Sequence, residues 1–120
     1  MKKRYIALIF IILPLVAFKF PSDTTLSTTP TFDIDGKSLT ISKGCTLCHH
    51  PVKKIVGPSF KDISKKYNGD VNRILNFFEG KSKPIVHPEE FQYMKPVLNQ
   101  LKHASKEERE AIAKYIAGLK

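Results

Sequence analysis

The only two cysteines of the chain stand in Cys45-Thr46-Leu47-Cys48, and His49 follows directly. On a helical turn, positions i, i+3 and i+4 share a face, so two thiols and one imidazole point the same way. That suits a porphyrin: each thiol forms a thioether at the macrocycle edge while the imidazole reaches the central iron. The spacing therefore points to one covalently attached haem, with Cys45 and Cys48 as thioether donors and His49 as the proximal iron ligand. Zinc is an alternative, but it needs four ligands, and His50 does not easily share a tetrahedron with its neighbour His49. A thioredoxin-like dithiol would need a β-α-β surround, which the pattern lacks. A plain structural disulfide is the third alternative.

Further along, Val56-Gly57-Pro58-Ser59-Phe60-Lys61-Asp62-Ile63 is a Gly-Pro turn running into a helix. Alone it reads as a helix start capped by Ser59. Beside the haem motif it resembles the Gly-Pro segment of the short bacterial class I cytochromes c, a resemblance covering about Gly36 to Lys120. It implies an all-α fold, about four short helices wrapped around one haem c. It also implies that the Pro58 carbonyl accepts a hydrogen bond from His49, which orients the ring, holds its tautomer and raises its basicity.

Class I cytochromes c take the sixth ligand from a methionine on a loop near the C-terminal helix. Past the N-terminal segment this chain has one methionine, Met94, in Phe91-Gln92-Tyr93-Met94-Lys95-Pro96, expected as a Pro-bounded loop before the last helix. Met94 is the expected distal ligand; a lone methionine also serves as a core gap-filler. His87 would instead give a bis-histidine site of lower potential, and His103 is a further alternative. His50 is held on the proximal side by its neighbour. The chain departs from the family pattern in its long segment between Gly80 and Met94 and in Lys95 standing between Met94 and Pro96. It also has no tryptophan to bond a haem propionate, for which Tyr93, Lys81, Lys83 and Gln92 are candidates.

The elements that must hold these groups read as helices. Ser105 and Glu108 form a capping box, and Ala111, Ile112, Tyr115, Ile116 and Leu119 make a single stripe behind it. By the resemblance this stripe crosses a helix over roughly Gly36 to His49, with Leu39 and Ile41 facing inward. A middle pair spans Ser59 to Tyr67 and Asp70 to Phe78, the second capped by Asp70 and ended by Gly80. Phe60, Ile63, Ile74, Phe77 and Phe78 are expected to wall the haem pocket.

The N-terminus reads as an address. The basic Lys2, Lys3 and Arg4 precede the apolar run 5–18, which is too short for a membrane-spanning helix and carries Pro14. Residues 1–18 are thus expected to be a signal peptide, with a short membrane anchor as the alternative, and 19–32 a flexible Ser/Thr/Pro linker. Residues 33–120 are then the cytochrome c domain. Export implies the periplasm or the outer face of the bacterial cytoplasmic membrane.

The chain has 20 basic and 11 acidic side chains, a formal charge of +9. Three of the basic ones are Lys2, Lys3 and Arg4, which leaves +6 on the remainder. Charge alone does not choose a partner, but no stacking-aromatic or recognition-helix motif favours nucleic acid. Lysines 43, 53, 54, 61, 65, 66, 81, 83, 95 and 102 flank the segments around the expected haem edge. They form either a solvated face or a docking surface for acidic redox partners such as a reductase or terminal oxidase. The resulting expectation is a monomeric single-electron carrier in a respiratory or periplasmic chain, and not an enzyme. The alternative is a haem-based sensor or small peroxidase-like protein with an open or bis-histidine sixth position.

Overall fold

Short polar side chains decide where the helices begin. The computed structural model describes residues 34–120; the expected export segment (1–18) and linker (19–32) lie outside the described residues. Asp35 starts α1 (Gly36–Ser42) by accepting from the Lys37 and Ser38 amides at 3.1 and 3.0 Å. Ser59 starts α2 (Phe60–Lys66) by accepting from the Asp62 amide at 3.0 Å. Asp70 starts α3 (Val71–Phe78) through the Arg73 amide at 3.1 Å. These helices span only two turns each and would not persist alone in water, so their packing must hold them.

Their C-termini are as clearly written. After α3, Gly80 adopts φ 72°. Its amide bonds Phe77 O at 2.9 Å, and the Lys81 amide bonds Asn76 O at 2.8 Å. This is a Schellman closure, which needs a left-handed residue where glycine carries no steric penalty. Asn68 and Gly69 perform the same closure after α2.

The expected single helix from Gly36 to His49 is instead broken. α1 stops at Lys43, Gly44 turns left-handed at φ 74°, and Cys45–Leu47 forms one 3-10 turn. Leu39 is half-buried against the core while Ile41 is 60% exposed rather than inward-facing, because residues two apart on α1 point to nearly opposite sides of the helix.

Met94 also differs from its expected setting. Residues after Gly80 run irregularly to a 3-10 turn, Pro88–Glu90, and then enter α4 (Phe91–His103). Met94 therefore sits on a helix, not a loop, and Pro96 lies inside that helix. Proline removes one backbone bond there, yet Phe91, Met94, Leu98 and Leu101 recur at three and four and bury a continuous face. That burial outweighs the missing bond.

The last helix, α5 (Lys106–Ala117), opens with the capping box in both directions: the Glu108 amide bonds Ser105 Oγ at 3.1 Å, and Glu108 Oε2 accepts from the Ser105 amide at 3.0 Å. It is the spine on which α1, α2 and α3 pack. Gly36 marks the crossing with α1, where a Cβ would collide with the Ala111 carbonyl and stand 2.8 Å from Tyr115 Cβ. Ser64 on α2 bonds Ala117 O at 2.9 Å. Ile112, Ala113 and Ile116 are buried, so the stripe includes Ala113, whereas Ala111 is only half-buried. Among the described residues there is no strand, and the five helices give an all-α fold.

Candidate functional site

The 3-10 turn delivers the motif to one cavity. The His49 amide still bonds Cys45 O at 2.9 Å, closing a single helical turn, so the one-face spacing survives although the helix does not. Cys45 is buried, Cys48 is exposed, His49 is half-buried, and both thiols are free. All three line a cavity of about 1060 Å³, open solvent at its mouth included. Burial pushes the Cys45 thiol above its ordinary pKa, so it remains protonated near neutral pH.

The segment after the motif fixes the imidazole. His49 Nδ1 stands 2.6 Å from the Pro58 carbonyl oxygen. A carbonyl only accepts, so Nδ1 carries the proton and the Nε2 lone pair is left for a metal. Phe60 stacks on the ring at 5.5 Å between centroids and 23° between planes. Gly57 completes the cradle: its amide bonds Cys48 O at 2.8 Å, and a Cβ there would lie 2.7 Å from His49 Cε1.

The remaining wall is mostly apolar. Phe60 and Ile63 from α2 and Ile74, Phe77 and Phe78 from α3 all line it, as does Met94. So do His87 and Tyr93. His87 has a left-handed backbone at φ 45°, and its Nδ1 lies 3.0 Å from Glu89 Oε1. His103, Lys81, Lys83 and Gln92 do not line the cavity. His50 turns away and accepts the Val52 and Lys53 amides at Nδ1, both at 3.1 Å, which shapes the loop before Gly57.

Four of the lining residues are not singled out by the sequence. Tyr67, buried at the end of α2, continues the spacing of Phe60 and Ile63, so its place was readable; burial pushes its phenol up. Leu101 and Val97 are hidden because Pro96, inside α4, carries the local signal of a helix boundary. Glu90 has no sequence signal: it pairs with Lys54 at 3.0 Å while its second oxygen is buried without a partner.

The donor set suits a haem. Two thiols three apart, one imidazole with a free Nε2, a thioether and a large apolar enclosure converge on one space, and burying a macrocycle there would complete a thin core.

Residues 34–120 match the family model for cytochrome c. Over 34 residues the chain is 53% identical to a cytochrome c-551 of Azotobacter vinelandii, covering 28% of this chain and 42% of that protein. A cytochrome c2 of Rhodocyclus tenuis is 49% identical over 35 residues, 29% of this chain and 38% of the relative. A cytochrome c-551 of Pseudomonas aeruginosa is 36% identical over 61 residues, 45% of this chain and 59% of the relative. In each case the match spans less than two thirds of the relative's length.

Proposed function

The chain belongs to the cytochrome c family, and on that premise we propose that it is a single-electron carrier with one haem c held by Cys45, Cys48, His49 and Met94. The observation that carries this reading is the 2.6 Å approach of His49 Nδ1 to Pro58 O at a cavity which both thiols and Met94 also line. Bound haem supplies an iron that alternates between ferrous and ferric states. His49 offers Nε2 to it, and Pro58, by accepting the Nδ1 proton, keeps the ring in one tautomer and makes it more electron-rich. Met94 offers a thioether, which favours the ferrous state and leaves no position open to substrate. The apolar wall excludes water, which limits the rearrangement that accompanies each electron.

Residues 1–18 support a location outside the cytoplasm, in the periplasm or tethered at the outer face of the membrane, with 19–32 as the spacer. Lys53, Lys65, Lys66, Lys83, Lys95 and Lys102 are exposed, which supports brief docking to an acidic redox partner. The second reading, a sensor or peroxidase-like protein, is favoured by one observation: His87 lines the same cavity and is a rival to Met94.

A redox titration followed by visible spectra tests the choice. The carrier predicts a one-electron wave and, in the oxidised protein, a weak far-red sulfur-to-iron band; Met94→Ala abolishes the band and lets carbon monoxide bind the reduced form. Wild-type protein that lacks the band and binds carbon monoxide readily would overturn the carrier reading.

A further inference from the structure

The helix carrying Met94 is lightly fastened. α4 has no side-chain cap at its N-terminus, and Pro96 removes one of its backbone bonds. Its buried anchors, Leu98 and Leu101, lie in its second half. Its C-terminal carbonyls need partners, as those of any helix do.

A side chain from α5 supplies them. Arg109 Nη1 donates to Ala104 O at 2.5 Å and lies 3.4 Å from Lys102 O. Its Nη2 stands 3.6 Å from Glu79 Oε1, on the residue that ends α3. The Arg109 side chain is only 16% exposed, which raises the worth of these contacts over those of a surface pair. One planar guanidinium thus ties the end of α4 to both α3 and α5, a three-way contact that a lysine ammonium does not reproduce.

We propose that Arg109 is a positioning residue for the sixth ligand: it clasps the C-terminal end of α4 against α3 and α5 and so keeps Met94 seated in the cavity. Leu101 and Met94 lie seven residues apart on one face, so a helix that slides or rolls at its C-terminal end carries the thioether with it. Glu79 braces the clasp from the other side. Its carboxylate is held ionised below its ordinary pKa by Lys81 first, with Arg109 contributing. This inference rests on Met94 as the ligand.

The test uses the haem-loaded protein and three variants. Arg109→Ala is expected to weaken the far-red sulfur-to-iron band and to speed carbon monoxide binding to the reduced protein by about tenfold, the scale of one lost charge-assisted bond. Arg109→Lys is expected to recover part of both. Ser64→Ala, which removes a buried bond between α2 and α5 without touching α4, is expected to lower the melting temperature yet leave band and carbon monoxide rate unchanged. The proposal is overturned if Arg109→Ala keeps the wild-type band and rate, or if Ser64→Ala shifts them equally. If Arg109→Ala does not fold, Arg109→Lys and Glu79→Gln are read instead, and wild-type behaviour in both overturns the clasp. A wild-type protein without the band refutes the Met94 ligation first, and the clasp with it; a normal band that is insensitive to Arg109 refutes only the clasp.

Discussion

Replacing Gly57 with alanine should strike the proximal ligand and little else. The added Cβ would stand 2.7 Å from His49 Cε1, 3.0 Å from Nδ1 and 3.3 Å from Cys48 O, whereas relaxed carbon contacts lie at about 3.5–4.0 Å. Cys48 O is backbone, so the imidazole must retreat, by roughly 0.8 Å on those contact distances. It sits 2.6 Å from Pro58 O, and such a retreat stretches that bond past the useful range of about 3.2 Å. Losing the bond costs about 1 kcal/mol and forcing a methyl into a filled site about 1–3 kcal/mol. For a domain of this size the sum lowers the melting temperature by at least about 8 °C. With its Nδ1 partner weakened, His49 becomes a poorer donor to ferric iron, so the midpoint potential should rise. Gly69→Ala is the control. It is strained by φ 65° and its Cβ would meet Ala117 O at 3.3 Å, away from the cavity, so it should lower stability without moving the potential. Thermal melts and potentiometry on both variants decide the matter. A Gly57→Ala protein with wild-type melting and potential would refute the steric reasoning.

Gly36→Ala drives a methyl into the Ala111 carbonyl and to 2.7 Å from Ala111 C, which is backbone and cannot yield. It should cost about 3 kcal/mol or more and lower the melt by over roughly 12 °C in circular dichroism; a near-normal melt would mean that α1 and α5 cross elsewhere. The Glu108 carboxyl is held below the ordinary glutamate value of 4.5 by the Lys43 side chain first and the Ser105 amide second, and Glu79 is lowered chiefly by Lys81. A depressed folded pKa stabilises above the unfolded value and is lost as pH falls through the folded one. Urea midpoints should therefore be level between pH 7 and 5 and fall below about 4.5, with a shallower fall in Glu108→Gln; an equal slope in that variant would remove Glu108 from the account. If the exposed lysines guide docking, the bimolecular electron-transfer rate with an acidic partner drops steeply as salt rises from about 0.01 to 0.15 M, whereas a neutral docking face gives a flat line.

Much of this architecture is legible one residue at a time. Ser59, Asp70 and the Ser105–Glu108 box announce helix starts because a short side chain must satisfy free amides, and each start lies where the capping rule puts it. The apolar spacing of α3 and α5 follows from burial on one side. What misleads is competition between rules. Pro96 signals a boundary by local chemistry, but the buried face from Phe91 to Leu101 overrules it, so Met94 comes to the cavity on a helix. Gly44 looks like a tolerated helix residue, yet its left-handed backbone ends α1; Ile41 faces solvent because it stands two residues from the inward Leu39 on the same helix. Glu90 and the left-handed His87 lie in the irregular segment before α4, where no periodicity marks which side chains turn inward.

Everything rests on the covalent bond between haem and the two cysteines. Protein purified from cells able to attach haem c, then extracted with acidified acetone, measures it directly. The colour should stay with the precipitated chain, and Cys45→Ala with Cys48→Ala should release it. Wild-type protein that is colourless, or that loses its colour to the solvent, would mean that these cysteines hold no haem.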